Sequence, residues 1–229
     1  MTPNSFLEGI LIDNRPQRQK LLSFTTDYDL RSKPALIWQC HPVKPGEIDV
    51  SVTALRETLE AGADGEADNG WWYGFKAGKR STPVLDGLAA YPSSDDHGWI
   101  AEVHTDGHII AGLWSFPELG NPDMPARLVV SDFHTQAFLD FGSLANRLNA
   151  LLPSAYPCQV TCTLVNASQI HFHREHSRLV PMKANREHLQ WRVREVKTRE
   201  ELLKTLELMA DELPRAFGHW PRPKPGQTA

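Results

Sequence analysis

No apolar run in this chain approaches the roughly 20 residues that a membrane-spanning helix needs. Its opening, MTPNSFLEGILIDNRPQRQK, lacks the basic segment and long apolar core of a secretory leader. Cysteine is scarce. Three residues in 229, an odd number, do not make a disulfide framework and predict a reducing, cytoplasmic setting. GxGxxG, GxSxG and HExxH are all missing, which removes the main support for dinucleotide, serine-hydrolase and zinc-protease chemistry. The nearest approach to a phosphate-binding loop is GFKAGKRS at 74–81. Its glycines stand one residue too close, and Arg80 occupies the position where Ser or Thr would meet magnesium. There is no internal repeat.

What is present has the composition of an ordinary globular protein, with 41% hydrophobic and 23% charged residues. The net charge of −4 is the sum of unlike parts: residues 1–170 hold 12 basic and 20 acidic side chains, and residues 171–229 hold 12 and 8. That basic end mixes Arg192, Arg194, Lys197 and Arg199 with Glu187, Glu195, Glu200 and Glu201. Such interleaving predicts a solvated face, where a nucleic-acid surface would need a stronger positive field.

The strongest structural signal is GWIAEVHTDGHIIAGLWS at 98–115, two apolar arms about the link Asp106-Gly107. An Asp-Gly pair between such arms predicts a hairpin with a two-residue turn. Further strands are expected at 35–41, 84–91, 157–165 and 189–196, with 169–173 as a partner or extension of the third. The segment 116–125 reads as a Pro/Gly-rich crossover. Helices are predicted near 16–24, over 51–61 from an N-cap at Ser51, over 133–152 from a cap at Ser131 or Asp132, and over 198–213. The last opens on a Thr198/Glu201 capping box, buries Leu202, Leu203, Leu206, Ala210 and Leu213, and closes at Pro214. Together these predict one α+β domain over 1–215, a mostly antiparallel mixed sheet with the hairpin at its centre, followed by a flexible Pro-rich tail at 216–229. The aromatic cluster Trp71, Trp72, Tyr73 and Phe75 is expected to pack against the sheet.

Candidate chemistry centres on His171-Phe172-His173-Arg174-Glu175-His176. In an extended segment His171 and His173 face the same way, about 6.5–7 Å apart along the strand. That spacing suits one divalent metal such as Zn or Fe, with His176 or Glu175 as a third ligand. Cys158 and Cys162 share a strand face about 13 Å apart, too far for a disulfide, and read as small core side chains. Cys40 and His41 point to opposite faces, so they do not form a nucleophile–base pair. His104, Asp106 and His108 surround the hairpin turn, where polar residues are expected, and Asp132 and His134 sit at a helix start.

Three stretches carry a family resemblance: PVLDG at 83–87 with the hairpin arm DGHIIAGLW, the run FLDFGSLANRLNALLPSAYPCQVTCTLVNAS, and ELMADELPRAFGHWPRP. The chain resembles the C-terminal accessory region of bacterial proteins that begin with an AlbA/Schlafen-type DNA-binding domain. The resemblance implies an accessory module with no catalytic residues to carry over. The functional expectation is therefore a non-enzymatic accessory or regulatory interaction module without a cofactor. Its partner would be a protein or an upstream domain, with nucleic acid touched only indirectly and no membrane contact. The alternative is a metal-dependent hydrolase or nuclease using His171, His173 and His176.

Overall fold

Every residue of strand β1 (Ala35–Pro42, ALIWQCHP) is buried, because β1 has a neighbour on each edge and a helical layer on each face. The computed structural model describes residues 15–61, 79–92, 98–121, 124–131, 134–152, 155–173 and 182–218. On one edge β1 pairs antiparallel with β5 (Ile109–Leu113), which continues through β4 (Trp99–His104) and β3 (Gly87–Pro92) to β2 (Lys79–Val84). On the other edge lies β8 (Cys158–Val165), paired in turn with the short strands β11 (Leu189–Gln190) and β12 (Arg194–Val196). The predicted hairpin at 98–115 thus occupies the middle of an eight-stranded antiparallel sheet. A second sheet of four strands runs β10 (Met182–Lys183), β9 (His171–His173), β7 (Met124–Ser131) and β6 (Glu118–Asn121). Its β7–β9 pair is parallel, so the architecture is α+β with a mainly antiparallel, mixed sheet content.

The two faces of the large sheet are covered differently. One face meets α2 (Thr53–Ala61), α3 (His134–Asn149) and α4 (Arg199–Ala216) through the main core, which includes Trp38, Leu113, Phe138, Phe141 and Leu206. The other meets α1 (Arg15–Asp27), whose Leu21 and Phe24 pack on Ile37, Ile100 and Ile110. α4 opens as its capping residues dictate: Thr198 Oγ1 accepts the Glu201 amide at 3.2 Å. Glu201 in turn accepts the Lys197 amide at 2.7 Å. Among the described residues no helix is long and apolar enough to cross a membrane.

Several expectations change in physical detail. The span 84–91 is not one strand: Leu85-Asp86 turns the chain between Val84 and Gly87, making β2 and β3 a hairpin. The hairpin at 98–115 closes through three residues, Thr105 to Gly107, because Val103 rather than His104 pairs with Ile109. Gly107 takes φ +81°, a turn followed by one left-handed glycine. The crossover at 116–125 contains β6, and 169–173 leaves the large sheet to form β9 in the second one. Strand 189–196 is interrupted where the Trp191 indole donates to the Met209 carbonyl at 2.9 Å.

Helix boundaries shift as well. α2 begins at Thr53, since Ser51 is tied into a local turn by Asp49, which leaves Val52 exposed. Leu203 is more open than its face predicted. Pro214 lies inside α4, which runs on to Ala216, and Phe217 packs on Phe172 with ring centroids 5.7 Å apart. The cluster at 71–75, most of the phosphate-loop-like segment, the caps expected at Asp132 and Gly62, and residues 219–229 lie outside the described residues.

Candidate functional site at the hairpin turn

Side chains on the α1-facing side of the sheet become polar toward the hairpin turn. Alternation puts Ile37, Gln39 and His41 of β1 on this side, with Ile100, Glu102 and His104 of β4 and Ile110 of β5. Cys40 and Val103 both pair with Ile109, so the next position on each strand brings His41, His108 and His104 into one row. The His41 and His108 rings lie 5.0 Å apart, and those of His104 and His108 6.0 Å. The three-residue turn is what aligns them. A two-residue turn would have set His104 against Ile109. The sequence expectation that His104 and His108 are ordinary polar turn residues fails, for they are 5% and 0% exposed.

His104 is held between two carboxylates. Its Nδ1 lies 2.9 Å from Asp86 Oδ1, and its Nε2 lies 3.0 Å from Glu102 Oε2. Lys20, reaching down from α1, pairs with Asp86 and brings its Nζ within 3.0 Å of His104 Nδ1. Tyr28 donates its hydroxyl to Glu102. Burial alone would lower the His104 pKa, and Lys20 pulls the same way. The hydrogen bond and charge of Glu102, with the charge of Asp86, outweigh both and raise it. Burial would raise Asp86, but Lys20 and His104 together hold it below its ordinary value. Each ring nitrogen thus faces a carboxylate, with Nδ1 also standing beside the Lys20 ammonium. Room for this arrangement comes from Gly87, opposite His104 on β3. A Cβ there would stand 2.4 Å from the Val103 carbonyl oxygen and 3.2 Å from His104 Nδ1.

The adjoining group has the opposite character. Neither ring nitrogen of His108 has a hydrogen-bond partner, and the Nδ1 of His41, itself 4% exposed, has none. Burial lowers the pKa of both rings, helped at His108 by its histidine neighbours and Lys20. Asp106 Oδ1 accepts the His108 amide at 3.0 Å, fixing its carboxylate beside them. Ligand-type atoms of His41, Asp106 and His108 all lie within 4.8 Å of one another.

A cleft of about 510 Å³ opens between α1 and the two hairpin turns. Lys20, Asp27, Asp86, Glu102, His104 and Asp106 supply its charged wall, and Phe24, Val84 and Leu85 its apolar one. Burial, followed by the charge of Glu102, raises the Asp27 pKa. Leu85 stands fully exposed at the lip.

The sequence-predicted metal ligands lie elsewhere. His171 and His173 are half-buried on one face of β9, with Phe172 buried between them. Burial and the charges of Arg127 and Lys183 lower the His171 pKa. Among the described residues, the trio at metal-ligand spacing is His41, Asp106 and His108; His176 lies outside the described residues. Cys40 faces the main core, its Sγ 3.4 Å from that of Cys158, while His41 faces α1. His134, fully buried, accepts the Ser131 amide on Nδ1 at 3.0 Å.

Sequence reasoning passed over this site because it treated the polar residues one at a time. The signal lay in polar side chains at alternate positions of otherwise apolar strands: Gln39 and His41, Glu102 and His104. Comparison with protein-family models, curated proteins and solved structures found no match for this chain.

Proposed function

We propose that this chain is a regulatory accessory module that binds a small amine-bearing molecule in the cleft beneath α1. The observation that carries the reading is His104, buried on the cleft wall between Asp86 and Glu102. Titratable groups with shifted pKa values in a concave site of this size mark binding or catalytic positions. Four carboxylates, Asp27, Asp86, Glu102 and Asp106, face Lys20 and His104 across the space. That balance favours a cationic guest. Such a guest competes with Lys20 for Asp86, which couples occupancy to the seating of α1. An accessory role fits this device, since α1 is the layer a partner domain would sense. Val52, Leu85, Leu151 and Leu208, apolar residues exposed on the described surface, sit on separate elements.

NMR titration of the His104 ring with 1,4-diaminobutane and with glutarate tests the reading. The diamine is expected to shift the ring resonances of the wild type but not those of Asp86→Asn. A response to glutarate alone, or to neither compound, overturns it.

A further inference from the structure

We propose that His41, Asp106 and His108 form a binding site for one divalent transition-metal ion, of the Zn²⁺ or Co²⁺ class, beside the cleft. His108 lies wholly out of solvent contact. A fully buried imidazole with both nitrogens unpartnered is costly, because buried polar groups are normally hydrogen-bonded. The unpartnered Nδ1 of His41 stands in the same pocket. Two orphaned imidazoles meeting at one carboxylate leave a shared deficit that a single cation satisfies.

The donor set matches the chemistry. Two imidazoles and a carboxylate suit zinc, cobalt and iron, while an all-oxygen cage would suit calcium or magnesium. A tetrahedral ion with bonds of about 2.0–2.2 Å needs its ligand atoms about 3.3–3.5 Å apart. From separations within 4.8 Å, each donor moves inward by less than about 1 Å. Burial keeps both rings neutral, the form that ligates. Each ligand is also anchored. His41 lies one residue from the end of β1, His108 precedes β5, and Asp106 is locked by the His108 amide. The charged groups facing the trio are His104 and Lys20, and both are engaged by Asp86, with Glu102 on the far side of His104. Asp106 belongs to both the trio and the cleft wall, so the ion stands next to the cleft. None of this depends on what the cleft binds.

The test is titration of tag-free protein, stripped with a chelator, with Co²⁺ followed by its visible absorption. One equivalent is expected to bind, to be displaced by Zn²⁺, and to raise the melting temperature. Asp106→Asn keeps the oxygen that holds the turn and is expected to weaken Co²⁺ binding at least tenfold with an unchanged circular dichroism spectrum. His108→Leu is expected to abolish binding, and the double variant His171→Ala/His173→Ala to retain it. Absence of stoichiometric binding to the wild type overturns the site. So does binding that survives in Asp106→Asn at full strength or disappears in the β9 double variant.

Discussion

Among the described residues histidine behaves in three different ways, and the difference lies in what each ring faces. His104 gains two carboxylates and is raised; at His41, His108 and His134 the loss of water dominates and the pKa is lowered. His171 is lowered at a half-exposed position beside Arg127 and Lys183. For His134 burial brings the pKa down to about 4, against about 6.5 in an unfolded chain. Above pH ~6.5 neither state takes up the proton. Between there and pH 4 the unfolded chain is protonated and the native ring is not, so stability falls across that window by on the order of 3 kcal/mol. His104 runs the other way: its contribution is complete below pH ~6.5 and is lost as pH rises through its raised folded pKa. Urea unfolding midpoints from pH 7 to pH 4 should therefore fall less steeply in His134→Gln than in the wild type. Equal slopes would sink the assignment. None of these environments is written at the residue itself. In the sequence, His104 and His108 are two histidines near a turn, and only the pairing of β4 with β5 and β5 with β1 buries them.

At the scale of the element, two of the chain's three Asp-Gly pairs lie among the described residues, in VLDGL and in HTDGH, with different results. In the first, Leu85-Asp86 makes the turn and the glycine opens β3. In the second, Thr105, Asp106 and Gly107 make the turn and the glycine is left-handed. The dipeptide announces a reversal but leaves its register open by one residue. Packing at a distance settles it, since a Cβ on Gly107 would lie 2.9 Å from Pro42 Cγ and 3.2 Å from Ile48 Cδ1. The hairpin, α3 and α4 were legible in sequence because each carries a long periodic pattern. β6, the sheet that β9 joins and the break between β11 and β12 were not, because strands of two to four residues hold too little pattern to read. Gly107→Ala places a side chain at positive φ and against Pro42, and should cost about 1–3 kcal/mol in denaturant unfolding. A change within about 0.5 kcal/mol would show that the turn can relax.

For the whole molecule, the governing asymmetry is that the large sheet is covered on one face by three helices and on the other by α1. The main core is continuous through the three-helix side. The α1 side closes over Leu21, Phe24, Ile37, Ile100 and Ile110 at one end and over the histidine–carboxylate row at the other. The same strands build both faces, β1 sending Trp38 and Cys40 one way and Ile37, Gln39 and His41 the other. Loosening α1 therefore disturbs the sheet that carries the main core. Phe24 is the pivot. It packs edge-on to Tyr28 with centroids 4.8 Å apart, and a Cβ on Gly112 would meet its ring at 2.6 Å. Through Tyr28 it also braces Glu102, one of the two carboxylates on His104. Phe24→Ala should cost about 3–5 kcal/mol, the usual range for emptying a buried aromatic position. It should also return the His104 pKa toward its ordinary value, as water enters and Tyr28 releases Glu102. If the two faces fold as one unit, the variant unfolds in a single transition at lower denaturant, with far-ultraviolet circular dichroism and tryptophan fluorescence superimposed. An early separate loss of helix with the remaining transition unmoved would make α1 an independently opening layer. In that case seating of α1 would report on the cleft without engaging the rest of the fold.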